Sequence, residues 1–430
     1  MKRLINVLWS YWRTRQLRFD SRAALERYQQ HRLRKFISTQ LTRSPYFLPF
    51  IAQPFHTWPL MTKSVMMEHF DRINTARLKL ADVLECAFQA ERTRDFSRTL
   101  EGYSVGLSSG TSGSRGVFVV SPAEQARWAG VMLARMLPQG LFAGERIALF
   151  LRANSNLYTT VRNPWLSFEF FDLMEPLAQH FERLERYAPT IIVGPAQVLR
   201  ALAEASLNRQ VTIHSCKVIS AAEVLEGFDR DFLTRSFGPV GEVYQATEGF
   251  LGATCPHGTL HLNESHVLVE PQWLDERRFV PLVTDFARVT QPIVRYRLDD
   301  ILVKCAASCP CGSHEMAIER IEGRCDDFLM LPGRDGRDIK IFADSLARAI
   351  AQILPLTADY RIVQTGKTHL TLHISDTADG FATGQAQLDR FLAHQGVETS
   401  QLVWTLNPQL PPADFTRKRR RIMRHEEGRG

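Results

Sequence analysis

The stretch Leu107-Ser108-Ser109-Gly110-Thr111-Ser112-Gly113-Ser114-Arg115-Gly116 decides how the rest of the chain is read. It follows a short strand-like run and precedes an apolar one, Val117-Phe118-Val119-Val120. Gly110, Gly113 and Gly116 recur at every third position, with hydroxyls and one arginine between them. Glycine lets backbone N–H groups turn toward an anion with no Cβ in the way. Ser108, Ser109, Thr111 and Ser112 add hydroxyl donors, and Arg115 adds a cation suited to phosphate oxygens. The pattern fits a loop that wraps phosphates. It lacks the Gly-Lys-Ser/Thr ending of a P-loop, which excludes that class of site. Taken alone, such a run is more often a flexible connector.

Downstream, strands alternate with helices. Ser121-Pro122-Ala123-Glu124 offers a hydroxyl N-cap, a proline at the first helical position and a glutamate three residues on, predicting a helix over 122–137. Residues 146–151, 190–194 and 216–220 read as buried strands, with helix inside 166–187 and again up to Ala205. The alternation predicts an α/β fold with a mostly parallel sheet, whose strand ends are where ligands bind. From about residue 240 the texture changes to short strands, at 266–270 and 278–284. A last segment carries a helix at 343–353, strands at 360–364 and 369–374, a helix near 383–394 and a strand at 402–404, which is a small α+β unit. At the other end, 4–42 reads as helix, closed at Ser44-Pro45 because proline biases the preceding residue away from helical backbone. Thr62 is a candidate N-cap.

A length of 430 residues predicts two units, placed here at 1–323 and 324–430. Hydrophobic content of 44% is a globular value, and no apolar run approaches the roughly 18–20 residues that span a bilayer. The charged start runs into an apolar part too short for a secretory signal, so the chain is expected in the cytoplasm. The net charge of +7 is concentrated at the ends, in 2–35 and in Arg417-Lys418-Arg419-Arg420-Arg421. Such runs are mostly solvated faces, though they also attract nucleotides, acidic carriers or anionic lipid heads. The N-terminal basic amphipathic helix is read as packed on the body, with membrane contact as the second reading. No RNA-binding or helix-turn-helix pattern is present, so a nucleic-acid partner is not expected.

Seven cysteines, an odd count, argue against a disulfide framework. Cys255, His257 and His261 lie about fifty residues before Cys305, Cys309 and Cys311. Soft thiolates and imidazoles at short spacing predict a tetrahedral zinc site.

Three further stretches carry chemistry. Val243-Tyr244-Gln245-Ala246-Thr247-Glu248-Gly249 sets an aromatic face beside a hydroxyl and a carboxylate, which suits a base, phosphate and Mg²⁺. Pro292-Ile293-Val294-Arg295-Tyr296-Arg297-Leu298-Asp299-Asp300 ends an extended run in carboxylates able to accept ribose hydroxyls, or else is a surface ion-pair ladder. Thr416-Arg417-Lys418-Arg419-Arg420-Arg421 offers a lysine for developing negative charge, or else is a solvated tail.

In this order the stretches resemble the motifs of the adenylate-forming acyl/aryl ligase superfamily. The first resembles its phosphate loop, S/T-S-G-S/T-S/T-G-x-P/R-K-G, with Arg115 near the usual lysine. The 243–249 run resembles Y-G/Q-x-T-E, and Ser220-Ala221-Ala222-Glu223 resembles S/T-G-G-E with alanines for both glycines. The 292–300 run resembles R-Y-R-T/S-x-D of phenylacetate–CoA ligase relatives, and Ser44-Pro45-Tyr46 with Leu60-Met61-Thr62-Lys63 also looks like that branch. Gly323-Arg324-Cys325-Asp326-Asp327 resembles the G-R-x-D-D hinge, and the C-terminal run resembles G-K-x-x-R without the glycine.

The resemblance implies a large layered adenylate-forming domain and a small mobile α+β C-terminal domain. It implies ATP-dependent activation of a carboxylic acid as acyl-adenylate, with pyrophosphate released, then acyl transfer to CoA, a carrier protein or another nucleophile. Ser108, Ser109, Gly110, Thr111, Ser112, Gly113 and Arg115 would hold phosphates. Tyr244 would lie on adenine, Thr247 and Glu248 would serve phosphates and Mg²⁺, Asp300 (with Asp299 beside it) would hold ribose, and Arg324 would reach ribose or phosphate. Lys418 would be the catalytic lysine and Asp326 the hinge. Within the branch, a structural Zn²⁺ would be held by Cys255, His261, Cys309 and Cys311, with Cys305 and His257 spare. The acid pocket is expected near Asn154, Asn156, Tyr158 and Trp165. Pro332-Gly333-Arg334-Asp335-Gly336-Arg337 departs from the family's R-G-x-N-V/I-x-P, which keeps a nucleotide-binding regulatory protein as the alternative. The acid, the acceptor and the oligomeric state stay open at this point.

Overall fold

A computed structural model describes residues 2–108, 115–137, 139–152, 166–214, 217–324, 327–375 and 378–424. Ser109, Gly110, Thr111, Ser112 and Gly113, the candidate hinge Asp326, and the candidate acid-pocket residues Asn154, Asn156, Tyr158 and Trp165 lie outside the described residues.

The helix expected over 4–42 is two helices, α1 (Lys2–Gln16) and α2 (Arg22–Thr39). Ser21 is extended and its Oγ accepts from the Ala24 N–H at 3.2 Å, so a hydroxyl inside the periodic run starts a new helix. α1 lies on the helix Pro122–Met136 through Val7, Ser10, Tyr11 and Thr14. The approach is close: a Cβ at Gly130 would sit 2.3 Å from the Val7 carbonyl oxygen, so glycine is required there.

The first quoted stretch connects two strands of a small antiparallel sheet, β1 (Thr99–Leu100), β2 (Tyr103–Leu107) and β3 (Val117–Val120), with Leu107 opposite Val117. Gln291 pins β3 from the side, accepting from the Val119 N–H at 2.8 Å and donating to the Val117 carbonyl at 3.1 Å. The capping box expected at Ser121 and Glu124 is present. The Glu124 carboxylate also accepts from the N–H groups of Val289 and Thr290 at 2.7 and 2.8 Å, tying this helix to the same segment.

The main sheet has twelve strands. Its parallel part is β4 (Glu145–Leu151), β5 (Leu166–Asp172), β6 (Ile191–Gly194), β7 (Lys217–Ala221) and β8 (Val240–Ala246), in the order β5-β4-β6-β7-β8. The helix expected inside 166–187 is at Phe181–Tyr187, and the start of that stretch, Leu166–Asp172, adds the strand β5 in parallel register with all of β4. Alternating burial in Leu166-Ser-Phe is a period-two signal that a helical reading overlooks. Beyond β8 the sheet is antiparallel through β9 (Gly249–Thr254), β10 (Leu260–Leu262), β11 (Val267–Trp273), β12 (Arg278–Asp285), β13 (Tyr296–Arg297), β14 (Asp300–Lys304) and β15 (Ala317–Arg324). The short strands after residue 240 therefore extend the same sheet, and the mostly parallel sheet expected is a mixed one. The switch is made by Thr247-Glu248, the two-residue turn between β8 and β9 in which Ala246 pairs with Gly249.

The C-terminal part has its own core, including Leu346, Ile350, Ile362, Leu372, Leu388 and Leu392. A hairpin, β16 (Phe328–Pro332) and β17 (Asp338–Phe342), precedes a four-stranded sheet of β18 (Tyr360–Gln364), β19 (His369–Ile374), β20 (Val403–Asn407) and β21 (Ile422–Arg424), ordered β20-β19-β18-β21. The divergent 332–337 stretch is the turn of the hairpin, closed by Gly333 N–H to Arg337 carbonyl at 2.7 Å. β21 runs parallel to β18 and draws the basic 417–421 run against the large sheet's helices. No described helix is long and apolar enough to cross a membrane.

Candidate active site

A cavity of about 540 Å³ opens where β7 and β8 end, the usual ligand position in an open α/β sheet. Its walls include Ser108, Tyr244, Thr247, Glu248, Asp300, Arg324 and Lys418, so these seven sequence candidates meet in one place.

Tyr244 is buried and donates its hydroxyl to Asp300 Oδ2 at 2.6 Å. Burial pushes the Asp300 pKa up. The Tyr244 bond and the nearby charges of Arg324 and Lys418 oppose that rise without cancelling it. Burial, then the Asp300 charge and hydrogen bond, push the Tyr244 phenol well above its ordinary value. Neighbouring Asp299 is exposed and paired with Arg324 at 2.7 Å and Arg297 at 3.5 Å. The two adjacent carboxylates thus differ: Asp300 faces the phenol inside the cavity, while Asp299 holds Arg324 at the rim.

At the β8–β9 turn, Arg288 Nη1 donates to the Thr247 carbonyl at 2.9 Å. Glu248 also has a raised pKa, first through burial, with the Tyr296 hydroxyl bond and Arg288 opposing and Asp300 adding to it. Two carboxylates, Asp300 and Glu248, thus line one space.

Lys63 carries no functional signal of its own in the sequence. It lies at the cavity wall, packs its Cε 3.4 Å from where a Gly116 Cβ would be, and senses the charge of Glu248. Burial, then the Arg324 charge, lowers its pKa. Arg115 is turned elsewhere: its guanidinium donates to both Glu91 carboxylate oxygens and to the Ser108 carbonyl.

Around Lys418 the C-terminal run is gripped through its main chain. Arg152 donates to the carbonyls of Phe415 at 2.9 Å and Arg417 at 2.6 Å, and Gln197 Nε2 donates to the Arg417 carbonyl at 2.7 Å. The Arg419 N–H donates to Glu223 Oε1 at 3.3 Å, and Glu223 also accepts from Arg152 and Gln197 at 2.8 and 2.9 Å. Glu223 follows Ala222, whose φ of +69° is a left-handed conformation that favours glycine, at a position where the resemblance has glycine. Lys418 stands between these grips and reaches into the cavity, open to solvent on one side. Loss of hydration among the surrounding groups lowers its pKa, against the charges of Asp300 and Glu223, which raise it.

Below the cavity the arginines converge on Asp229, which is fully buried on the helix Gly227–Phe237. Arg421 makes a bidentate pair with it at 2.8 and 2.9 Å, Arg200 approaches at 3.2 Å, and Arg419 also bonds it. Burial alone would push this carboxyl up; Arg419 and Arg421, then Arg200, outweigh it and hold the carboxyl well below the usual range. Arg421 also pairs with Asp359 at 2.7 Å, from the C-terminal part. No single-sequence signal marks Asp229, Arg200, Arg152 or Gln197.

The ligand atoms of Cys255, His261, Cys309 and Cys311 lie within 4.8 Å of one another. Cys255 and Cys309 sulfurs are 3.7 Å apart, and Cys311 Sγ lies 3.4 Å from His261 Nε2. A tetrahedral zinc with bonds of about 2.3 Å to sulfur and 2.0–2.1 Å to nitrogen sets such edges near 3.8 and 3.5 Å, so the donor set fits that ion. His261 Nδ1 lies 3.0 Å from the Glu315 carbonyl, a bond that leaves Nε2 as the ligand atom. Cys305 and His257 are not in this group.

No protein-family model matches the chain. Protein CapK of Staphylococcus aureus is 27% identical over 161 residues, 36% of this chain and 36% of that protein, so the chain matches about a third of this curated relative's length. Among solved structures, the chain is similar to 2-hydroxyisobutyryl-CoA ligase in the postadenylation state in complex with R3-HIB-AMP, with a TM-score of 0.67, 16% identity and coverage of 94% of this chain and 89% of the other. The fold is that of the adenylate-forming ligases. The same ligase in the thioesterification state, in complex with 2-HIB-AMP and CoA, gives a TM-score of 0.55 at 18% identity, over 94% of this chain and 89% of the other. The amide bond synthetase McbA from Marinactinospora thermotolerans gives 0.51 at 14% identity, over 74% of this chain and 68% of the other.

Proposed function

We propose that the chain is an AMP-forming carboxylic-acid ligase of the phenylacetate–CoA ligase-like branch. The observation that carries this reading is that Lys418, from the C-terminal run, shares one cavity with the hydrogen-bonded Tyr244–Asp300 pair of the large sheet. An ammonium there opposes negative charge that develops as an acid's carboxylate attacks the α-phosphorus of ATP and pyrophosphate leaves. Asp300 accepts ribose hydroxyls, and Tyr244 lies along the base. Ser108 and Lys63 face the phosphates. Mg²⁺ would be held at Thr247 and Glu248, where oxygen ligands suit a hard cation and would screen the phosphate charge. The catalysis asked of these groups is positioning and electrostatics.

The 324–430 part is the mobile small domain in this reading. The higher TM-score against the postadenylation state than against the thioesterification state supports an arrangement set for adenylation. Rotation about 324–327 would then open the acyl-adenylate to CoA or another nucleophile. A structural Zn²⁺ at Cys255, His261, Cys309 and Cys311 would staple the β9–β10 turn to the 305–316 loop, with four ligands leaving no position for water.

Acid-dependent exchange of radiolabelled pyrophosphate into ATP, run over a panel of aliphatic and aryl acids, tests the reading. An acid that supports exchange is the expected result; nucleotide binding with no exchange from any acid replaces it with a regulatory nucleotide-binding protein. For the metal, about one zinc per chain is expected by elemental analysis, and Cys309→Ser should lower zinc content and stability together.

A further inference from the structure

α1 has two faces, and the body uses one of them. Val7, Ser10, Tyr11 and Thr14 are buried against the large domain. On the opposite side Leu4, Ile5, Trp9 and Trp12 are 45%, 58%, 56% and 51% exposed, two tryptophans within four residues. At about 100° per residue, and with Leu8 between Leu4 and Trp12 partly buried against the body, Leu4, Trp12, Ile5 and Trp9 fall on one outward stripe. Lys2 and Arg13 follow along one edge of it and Arg15 lies within the other, while no acidic residue occurs before Asp20. The Arg13 guanidinium sits 5.0 Å from the Trp9 ring centroid, and the Arg15 side chain is fixed on the Leu137 carbonyl at 3.0 Å. Other exposed large apolar residues in the described chain, such as Phe88, Met174 and Leu207, are scattered along it.

We propose that this face of α1 seats the protein on an anionic lipid surface, lying in the plane of the interface without crossing it. Tryptophan and leucine beneath a cationic rim match the chemistry of an acyl boundary under negative headgroups. The charge complement is one-signed, which selects an anionic surface over a neutral one. The size of the stripe argues against a protein partner of ordinary kind. A helix of 15 residues is about 22 Å long, so a stripe about 10 Å wide offers on the order of 200 Å², far below the roughly 800 Å² per partner of a stable interface.

The test is co-sedimentation of the purified full chain with vesicles of phosphatidylcholine and phosphatidylglycerol in equal parts, and with phosphatidylcholine alone. Binding to the anionic vesicles is expected, at least ~10-fold weaker on phosphatidylcholine and weakened by added salt. Trp9→Ser with Trp12→Ser should reduce partitioning by ~10-fold or more, as should Lys2→Glu with Arg13→Glu, with thermal melting unchanged because all four side chains point outward. Failure of the wild-type chain to bind anionic vesicles overturns the proposal, as does binding that neither variant reduces. A lipid-free dimer by light scattering that the tryptophan variant dissociates also overturns it, in favour of a second copy on this face.

Discussion

Asp229, fully buried, and Asp300, half-buried at a cavity wall, are the same residue type in two regions that strip hydration from a carboxyl, and the protein treats them in opposite ways. Asp229 is surrounded by Arg200, Arg419 and Arg421, and its carboxyl is held far below its ordinary pKa. Asp300 has one neutral phenol as its hydrogen-bond donor, with Arg324 and Lys418 at longer range, and its carboxyl stays above its ordinary value. The first is a saturated joint that holds the C-terminal part on the large sheet. The second has acceptor capacity left over and opens on a cavity. Burial is common to both; whether the neighbours finish the neutralisation separates a structural carboxylate from one that awaits a ligand.

The most damaging way to break the contrast is Asp229→Ala. It removes the carboxylate shared by the buried Arg200 and Arg421 and the half-buried Arg419, leaves them only their outer partners, and is expected to lower stability by about 3–5 kcal/mol, measured by urea unfolding at pH 7. A carboxyl with a depressed folded pKa contributes fully above its unfolded value, near 4, and loses that contribution as pH falls toward the lower folded value. The gap between wild type and variant should therefore narrow below about pH 4. A loss under about 1 kcal/mol at pH 7 would make the joint ornamental.

Next in size is Lys418→Ala. In the proposed reaction it should slow acyl-adenylate formation by ~10²–10³-fold and leave ATP affinity nearly unchanged, because the ammonium would act only where charge develops. Transfer from a supplied acyl-adenylate should survive. If affinity falls in parallel with turnover, the run is a nucleotide clamp instead.

Asp300→Asn sharpens the comparison most, since its expected sign is opposite to that at Asp229. Nucleotide binding by calorimetry should weaken by ~10-fold, about 1.4 kcal/mol. Stability at pH 7 should hold or rise, because a carboxyl with a raised folded pKa is costly in its charged form above its unfolded value. A clear stability loss would show Asp300 to be a second structural joint. The smallest effect is expected at Arg115→Ala. Its pair with Glu91 is partly exposed and contributes about 0–1 kcal/mol, and an unchanged ATP KM would assign the phosphate-side cation to Lys63. A tenfold rise in KM would return that role to Arg115.

Much of the parallel core was readable because its signals are local. Pro122 with its capping box, the apolar runs of β4, β6 and β7, and β18 with β19 each declare themselves within a dozen residues. The Tyr244, Asp300 and Cys255 groups were also found as motifs, although what joins them is tertiary. The misses share a different cause. Asp229 and Arg421 are 192 residues apart and meet only when β21 pairs with β18, a three-residue strand hidden at the end of a basic run. The same holds for Lys63, which reads as the first residue of a short helix until β3 brings Gly116 beside it. The strand β5 ahead of the expected helix in 166–187 goes unmarked because it is a short apolar window, and pairing with β4 is what defines it.

The grip on the C-terminal run is made through carbonyls of Phe415 and Arg417 and the amide of Arg419. Peptide groups are the same whatever side chain follows, so this holder counts positions and ignores identities. Phe415 also packs its ring on the large domain's core, whereas substitutions at the exposed positions 416 and 417 can accumulate by drift without displacing residue 418, and a lysine can be presented there with no glycine before it. An inserted or deleted residue, or a proline at 419 that removes the donating N–H, would shift the count instead. Positions 416 and 417 are therefore robust to replacement while the segment is brittle to changes in length, a pattern of tolerance that an insertion scan across 412–420 would reveal.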